Sequence, residues 1–91
     1  MENTYVNKRL SPTPRDVKAF TFIEAYMRYH GFSPTYGEIG KELGIPRANV
    51  TRVIARLEKM GCISRNPKTV RGIIPLKSPI YSITTQSQIA P

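Results

Sequence analysis

Apolar positions follow three different spacings along this chain, and each spacing predicts an element. Ala19, Phe20, Phe22, Ile23, Tyr26 and Met27 recur at helical intervals. Thr13-Pro14-Arg15-Asp16 sits just before them. The threonine is placed to cap free amides, the proline suits the first helical position, and the acid favours the positive helix end. His30-Gly31 closes this first helix, with glycine where a left-handed cap is wanted. After a Phe32-Ser33-Pro34 link, Thr35-Tyr36-Gly37-Glu38 is a second start signal, a capping box with Glu at its third helical position. Ile39 and Leu43 then share one face, and Gly44 stops the helix after about two turns. Ile45-Pro46 opens a third helix, in which Val50, Ile54 and Leu57 form the apolar stripe. Val53 lies beside that stripe, Met60 further on, and Gly61 closes the helix.

Beyond Gly61 the period changes. Cys62-Ile63-Ser64 is a short strand candidate, Arg65-Asn66-Pro67-Lys68 a turn, and residues 70–76 a second strand candidate that Pro75 confines to an edge. Residues 1–12 read as a mobile N-terminal arm and 13–77 as the folded unit. Residues 78–91 read as a tail, either disordered or contacting a second copy.

Charge sharpens this outline. The net charge is +8 over 91 residues, which suits a polyanionic partner. Residues 1–46 carry six basic side chains against five acidic ones, whereas residues 47–91 carry eight against Glu58 alone. The basic half thus begins where the third helix begins. The lone Cys62 rules out an intramolecular disulfide and reads as a small core residue. With one His and one Cys, no zinc site or other metal site is expected, and no cofactor. No paired carboxylates or nucleophile–base set suggests an enzyme. No apolar run reaches the roughly 18 residues of a membrane span, and the N-terminus lacks a signal-peptide core, so a cytoplasmic, nucleoid-associated location is expected. Phe20, Phe22, Tyr26 and Tyr29 at helical spacing read as core rather than as a platform for stacking bases.

The second and third helices have the spacing of a helix-turn-helix. Gly40 supplies the small residue at the helix crossing, Gly44 the residue tolerant of positive φ in the turn, and Val50 the buried contact six positions later. With the two strands as a basic wing, the expected fold is mainly α (α+β): a three-helix winged helix-turn-helix with a two-stranded β-hairpin wing. Burying Val50, Ile54 and Leu57 turns the opposite face outward. Its first turns carry Arg47, Ala48, Asn49, Thr51 and Arg52, the candidates for reading bases. Arginine forks onto guanine, asparagine onto adenine, threonine meets a thymine methyl or a phosphate, and small alanine allows close approach. Arg56 and Lys59, further along, are phosphate candidates. So are Thr35 and Tyr36 at the start of the bracing helix, and Arg65, Lys68 and Arg71 in the wing.

These residues resemble the N-terminal domain of LexA-type repressors. Gly31, Pro34, Thr35, Glu38, Ile39, Leu43 and Gly44 match that family's link and second helix, and the segments at 57–63 and 70–76 are similar to its wing. The resemblance spans roughly residues 13–76. It implies a winged helix-turn-helix and site-specific repression of transcription, usually as a dimer. The recognition-helix start, IPRANVTRVIARLE, lacks the family's Ser-Pro-Asn insertion and is nearer the MarR or IclR type, so no operator sequence carries over. No Ala-Gly cleavage site or serine–lysine dyad is found, and a stand-alone reader without self-cleavage is expected. The expected function is sequence-specific binding of double-stranded DNA, as a homodimer, in a transcriptional regulator that represses by occluding a promoter. Two alternatives stay open: a small adaptor or inhibitor that binds a protein partner through this fold, and a plasmid or phage replication or partition factor.

Overall fold

The structure, a computed structural model, describes residues 11–79. Most of the expected arm and nearly all of the expected tail lie outside the described residues. Three helices, α1 (Pro14–His30), α2 (Tyr36–Leu43) and α3 (Arg47–Lys59), precede two strands, β1 (Ile63–Arg65) and β2 (Ile73–Pro75). The strands pair antiparallel with Ile63 opposite Pro75, Ser64 opposite Ile74 and Arg65 opposite Ile73. This is the three-helix winged helix-turn-helix that the spacing predicts.

The helix starts form as the capping residues dictate. Thr13 accepts from the Asp16 amide at 3.2 Å while Asp16 accepts from the Thr13 amide at 2.9 Å. Thr35 and Glu38 repeat that exchange on α2 at 3.1 and 2.8 Å. Each box satisfies two amides that a helix end otherwise leaves unpaired. Gly44 ends α2 in the left-handed region at φ 70°, which turns the chain into α3 without the Cβ penalty another residue would meet. At Gly40 the approach is closest: a Cβ there would lie 2.9 Å from the Ile45 carbonyl oxygen and 3.3 Å from a Val50 methyl. The missing side chain is what lets α2 and α3 cross.

The core collects one stripe from each element. Ala19, Phe20 and Ile23 come from α1, and Ile39 from α2. Val50, Val53, Ile54 and Leu57 come from α3, while Cys62, Ile63 and Ile73 seal the wing side. The Cys62 thiol is fully buried, and that burial pushes its pKa up, so it is an inert packing group. Pro79 is buried too, which extends the packed unit two residues past Lys77.

The structure differs from the sequence reading in three places. Strand β1 begins one residue later than expected because Cys62 closes α3 instead, its amide donating to the Leu57 carbonyl at 2.9 Å. Strand β2 begins only at Ile73. An Asn66 turn, with the Lys68 amide donating to Asn66 Oδ1 and the Asn66 amide to the Gly72 carbonyl, holds the intervening residues in the hairpin loop. Tyr29, read as core, is 86% exposed. It lies beyond the arc of α1 covered by the other helices, and its ring packs edge-on against His30.

Candidate nucleic-acid interface

Helix α3 presents its outer face by elimination. Its four buried residues occupy one side, which leaves Arg47, Ala48, Thr51, Arg52, Ala55, Glu58 and Lys59 exposed and Asn49 and Arg56 half-buried. Pro46 is its N-cap, without a side-chain cap bond, and its first turn holds no acid. The positive end of the helix dipole therefore opens toward solvent beside Arg47, where an anion is favoured. Thr51 donates back to the Arg47 carbonyl at 3.3 Å, which fixes the hydroxyl.

Two clefts flank this face. One, of about 340 Å³, lies between α3 and the wing, lined by Tyr36, Arg47, Arg65, Lys68 and Thr69 among others. Arg47 reaches over the Tyr36 ring there, 6.0 Å from its centroid. The other, of about 350 Å³, lies between α3 and the start of α1, lined by Arg15, Arg52 and Arg56 with the single acid Asp16, and by Thr13, Asn49 and Val53. Arg15 is exposed at its rim. Arg15 lies outside the expected site residues, because the charge step at residue 47 marks only the C-terminal half. Its place in the first turn of a capped helix was the available signal.

The expected phosphate contacts fall into two groups. Lys59 and Lys68 are exposed, with ammonium groups unpaired among the described residues. The three arginines are committed within the fold. Arg56 donates to Asp16 through Nε at 3.1 Å and Nη2 at 2.8 Å, and to the Ser11 carbonyl at 2.8 Å. Asp16 is only 1% exposed, and this carboxylate holds the Arg56 pKa above its ordinary value. Arg65 donates to Glu58 at 2.9 Å and to the Tyr36 hydroxyl at 2.8 Å. Arg71 forms a two-pronged pair with Glu38 at 3.0 and 3.1 Å. It also donates to the Ser33 carbonyl at 2.9 Å and stacks over Phe32 at 4.7 Å. The guanidinium of Arg71, with the Thr35 amide behind it, lowers the Glu38 pKa from 4.5 to about 2. The Thr35 hydroxyl is occupied by its capping bond, and the Tyr36 hydroxyl by Arg65.

The family model of the LexA DNA-binding domain matches residues 8–72. This chain belongs to that family. It is 41% identical over 63 residues to the LexA repressor of Geotalea uraniireducens, covering 68% of this chain and 31% of that protein. Against the LexA repressor of Thermosipho africanus it is 40% identical over 80 residues, covering 86% and 40%. Against the LexA repressor of Pseudomonas aeruginosa it is 37% identical over 62 residues, covering 67% and 30%. The chain thus spans between about a third and two fifths of these relatives' length, within which its helix-turn-helix and wing are those of the LexA family's DNA-binding domain. Among the described residues no helix is long and apolar enough to cross a membrane, and no cluster of His, Cys, Asp or Glu is placed to hold a metal ion.

Proposed function

We propose that this protein is a sequence-specific reader of double-stranded DNA and represses transcription by occluding the promoter it binds. The observation that carries the reading is the outer face of α3: Arg47, Ala48, Thr51 and Arg52 exposed, Asn49 beside them, and a basic cleft on either side. A helix so flanked enters the major groove with a phosphate backbone on each side. Arg47, Asn49, Thr51 and Arg52 then meet base edges, and Ala48 lets the helix come close. Lys68 reaches one backbone from the wing, beside the start of α2 at Thr35 and Tyr36, and Lys59 and Arg15 reach the other. Arg56, Arg65 and Arg71 take part mainly by holding the surface in shape. Repression by occlusion requires affinity and no chemistry. Two copies on two half-sites, about 34–36 Å apart along the duplex, multiply the modest affinity of one module.

Two substitutions separate reading from anchoring. Arg52→Ala should weaken binding to a preferred duplex by about 1–3 kcal/mol and relax the preference at the position it reads. Lys68→Ala should weaken binding to all duplexes alike and reduce the slope of log affinity against log salt by about 0.9. The check is a fluorescence titration of selected and random duplexes across a salt series. An unchanged ratio of selected to random affinity in Arg52→Ala would remove Arg52 from the groove. Equal affinity of the unmodified protein for both duplexes would favour the adaptor reading, to which the exposed Tyr29 ring lends a contact surface.

A further inference from the structure

The wing is too small to stand alone. Two strands of three residues are unstable in water without packing against something larger. Its apolar side is pinned by buried Ile63 and Ile73. Its polar side is pinned at both roots to a single turn of helix. Arg65, the last residue of β1, donates to Tyr36, and Arg71, just before β2, forks onto Glu38. Tyr36 and Glu38 both lie in the first turn of α2, the helix that braces α3. Between these roots hangs the loop that carries Lys68.

We infer that Tyr36 and Glu38 are positioning residues for the wing: by holding Arg65 and Arg71 they fix the hairpin against the recognition helix, and Glu38 thereby strengthens the binding of a polyanion. The inference rests on the DNA-binding reading above.

The geometry is specific to a clamp. One Glu38 oxygen accepts both the Thr35 amide at 2.8 Å and Arg71 at 3.0 Å, so the carboxylate that caps α2 also fastens the wing. Arg71 is held from four further directions: by the second Glu38 oxygen, the Ser33 carbonyl, the Tyr26 hydroxyl at 3.4 Å and the Phe32 ring. The chain beyond it is fastened too, since the Ile73 amide donates to the buried Ser33 hydroxyl at 3.3 Å. A forked arginine–carboxylate pair fixes direction as well as distance, which a lysine in either arginine's place would not.

The sign of the effect separates this role from simple electrostatics. Glu38→Gln removes a negative charge next to a DNA-facing surface, so charge alone predicts tighter binding. The clamp predicts weaker binding, because the freed loop must be ordered at the moment of docking. Glutamine still completes the capping box, so α2 is expected to fold.

The test uses the full chain and its Glu38→Gln, Arg71→Gln and double variants. Amide hydrogen exchange, read without DNA, should rise at Asn66 and Ile73 in each variant while core α3 amides stay protected. Titration with the selected duplex should show about fivefold weaker binding for Glu38→Gln, as expected for one half-exposed forked pair, and no further loss on combining it with Arg71→Gln. In the unmodified protein the clamp is fully present above pH 4.5, because the Glu38 pKa is depressed, and is lost as pH falls toward about 2. Wing exchange corrected for intrinsic rates should therefore rise over that interval, and rise less in Glu38→Gln, where the Glu58 carboxylate still holds Arg65. Equal or tighter duplex binding by Glu38→Gln, or unchanged wing exchange, overturns the inference. If the unmodified chain binds no duplex, the DNA-binding reading fails while the exchange data still decide whether the clamp exists.

Discussion

Replacing Arg56 with alanine is expected to destabilise the domain by about 2–3 kcal/mol, near the lower end of the cost of breaking a buried ion pair. Asp16 is 1% exposed and is met by Arg56 through two nitrogens at 3.1 and 2.8 Å. Without the guanidinium, the carboxylate keeps, among the described residues, the Thr13 amide at 2.9 Å and becomes an uncompensated charge. The Arg56 side chain is 34% exposed, so water replaces part of the lost interaction and the upper end of the range is not expected. The pair joins the first turn of α1 to the last turns of α3, so its loss also loosens the cleft that contains Arg15 and Arg52. A urea unfolding curve measures the change. If Arg56 acted only on phosphate, the midpoint would not move and only the salt dependence of DNA binding would change.

The same arginine shows where sequence reasoning reaches its limit. Local signals were legible. Thr13 and Thr35 cap the helices they precede, Gly44 turns the chain, and Val50, Ile54 and Leu57 are buried with no exposed area. Those signals depend on residues within a turn of each other, which a sequence displays directly. The pairing of charges is non-local. Asp16 meets Arg56 across 40 positions and Glu38 meets Arg71 across 33. A linear charge pattern registers these arginines as basic without showing that three carboxylates, at Asp16, Glu38 and Glu58, already engage them. The basic step at residue 47 coincides with the start of α3. It overstates the charge free to meet a partner, which rests more on Arg47, Arg52, Lys59 and Lys68. Strand limits were blurred for a related reason. The residues at 70–72 carry a strand-like pattern, but the Asn66 turn and the hold on Arg71 draw them out of the ladder. Tyr29 was misplaced because a helical stripe wide enough to include it exceeds the arc its neighbours cover.

Gly40→Val should cost about 3 kcal/mol, at the upper end of the usual penalty for overpacking a closed contact, and should abolish duplex binding. The first added carbon would sit 2.9 Å from the Ile45 carbonyl oxygen, a backbone atom in the turn, and 3.3 Å from Val50. Neither neighbour is the free end of a flexible side chain. The turn must open, and α3 swings away from the position that α2 and the wing define. Against this, the gain in helix propensity over glycine is at most about 1 kcal/mol, so the clash wins. Three residues earlier, the same helix gives the opposite sign. A Cβ at Gly37 meets only the Thr35 hydroxyl at 3.8 Å, an ordinary contact, and Gly37 is exposed. Gly37→Ala should therefore stabilise the domain by about 0.5–1 kcal/mol through the lost backbone freedom of the unfolded chain. Thermal melts of the two variants beside the unmodified protein test both expectations. Similar melting temperatures for the two would mean that the α2–α3 crossing is not set at Gly40, and the helix-turn-helix geometry would then need another origin.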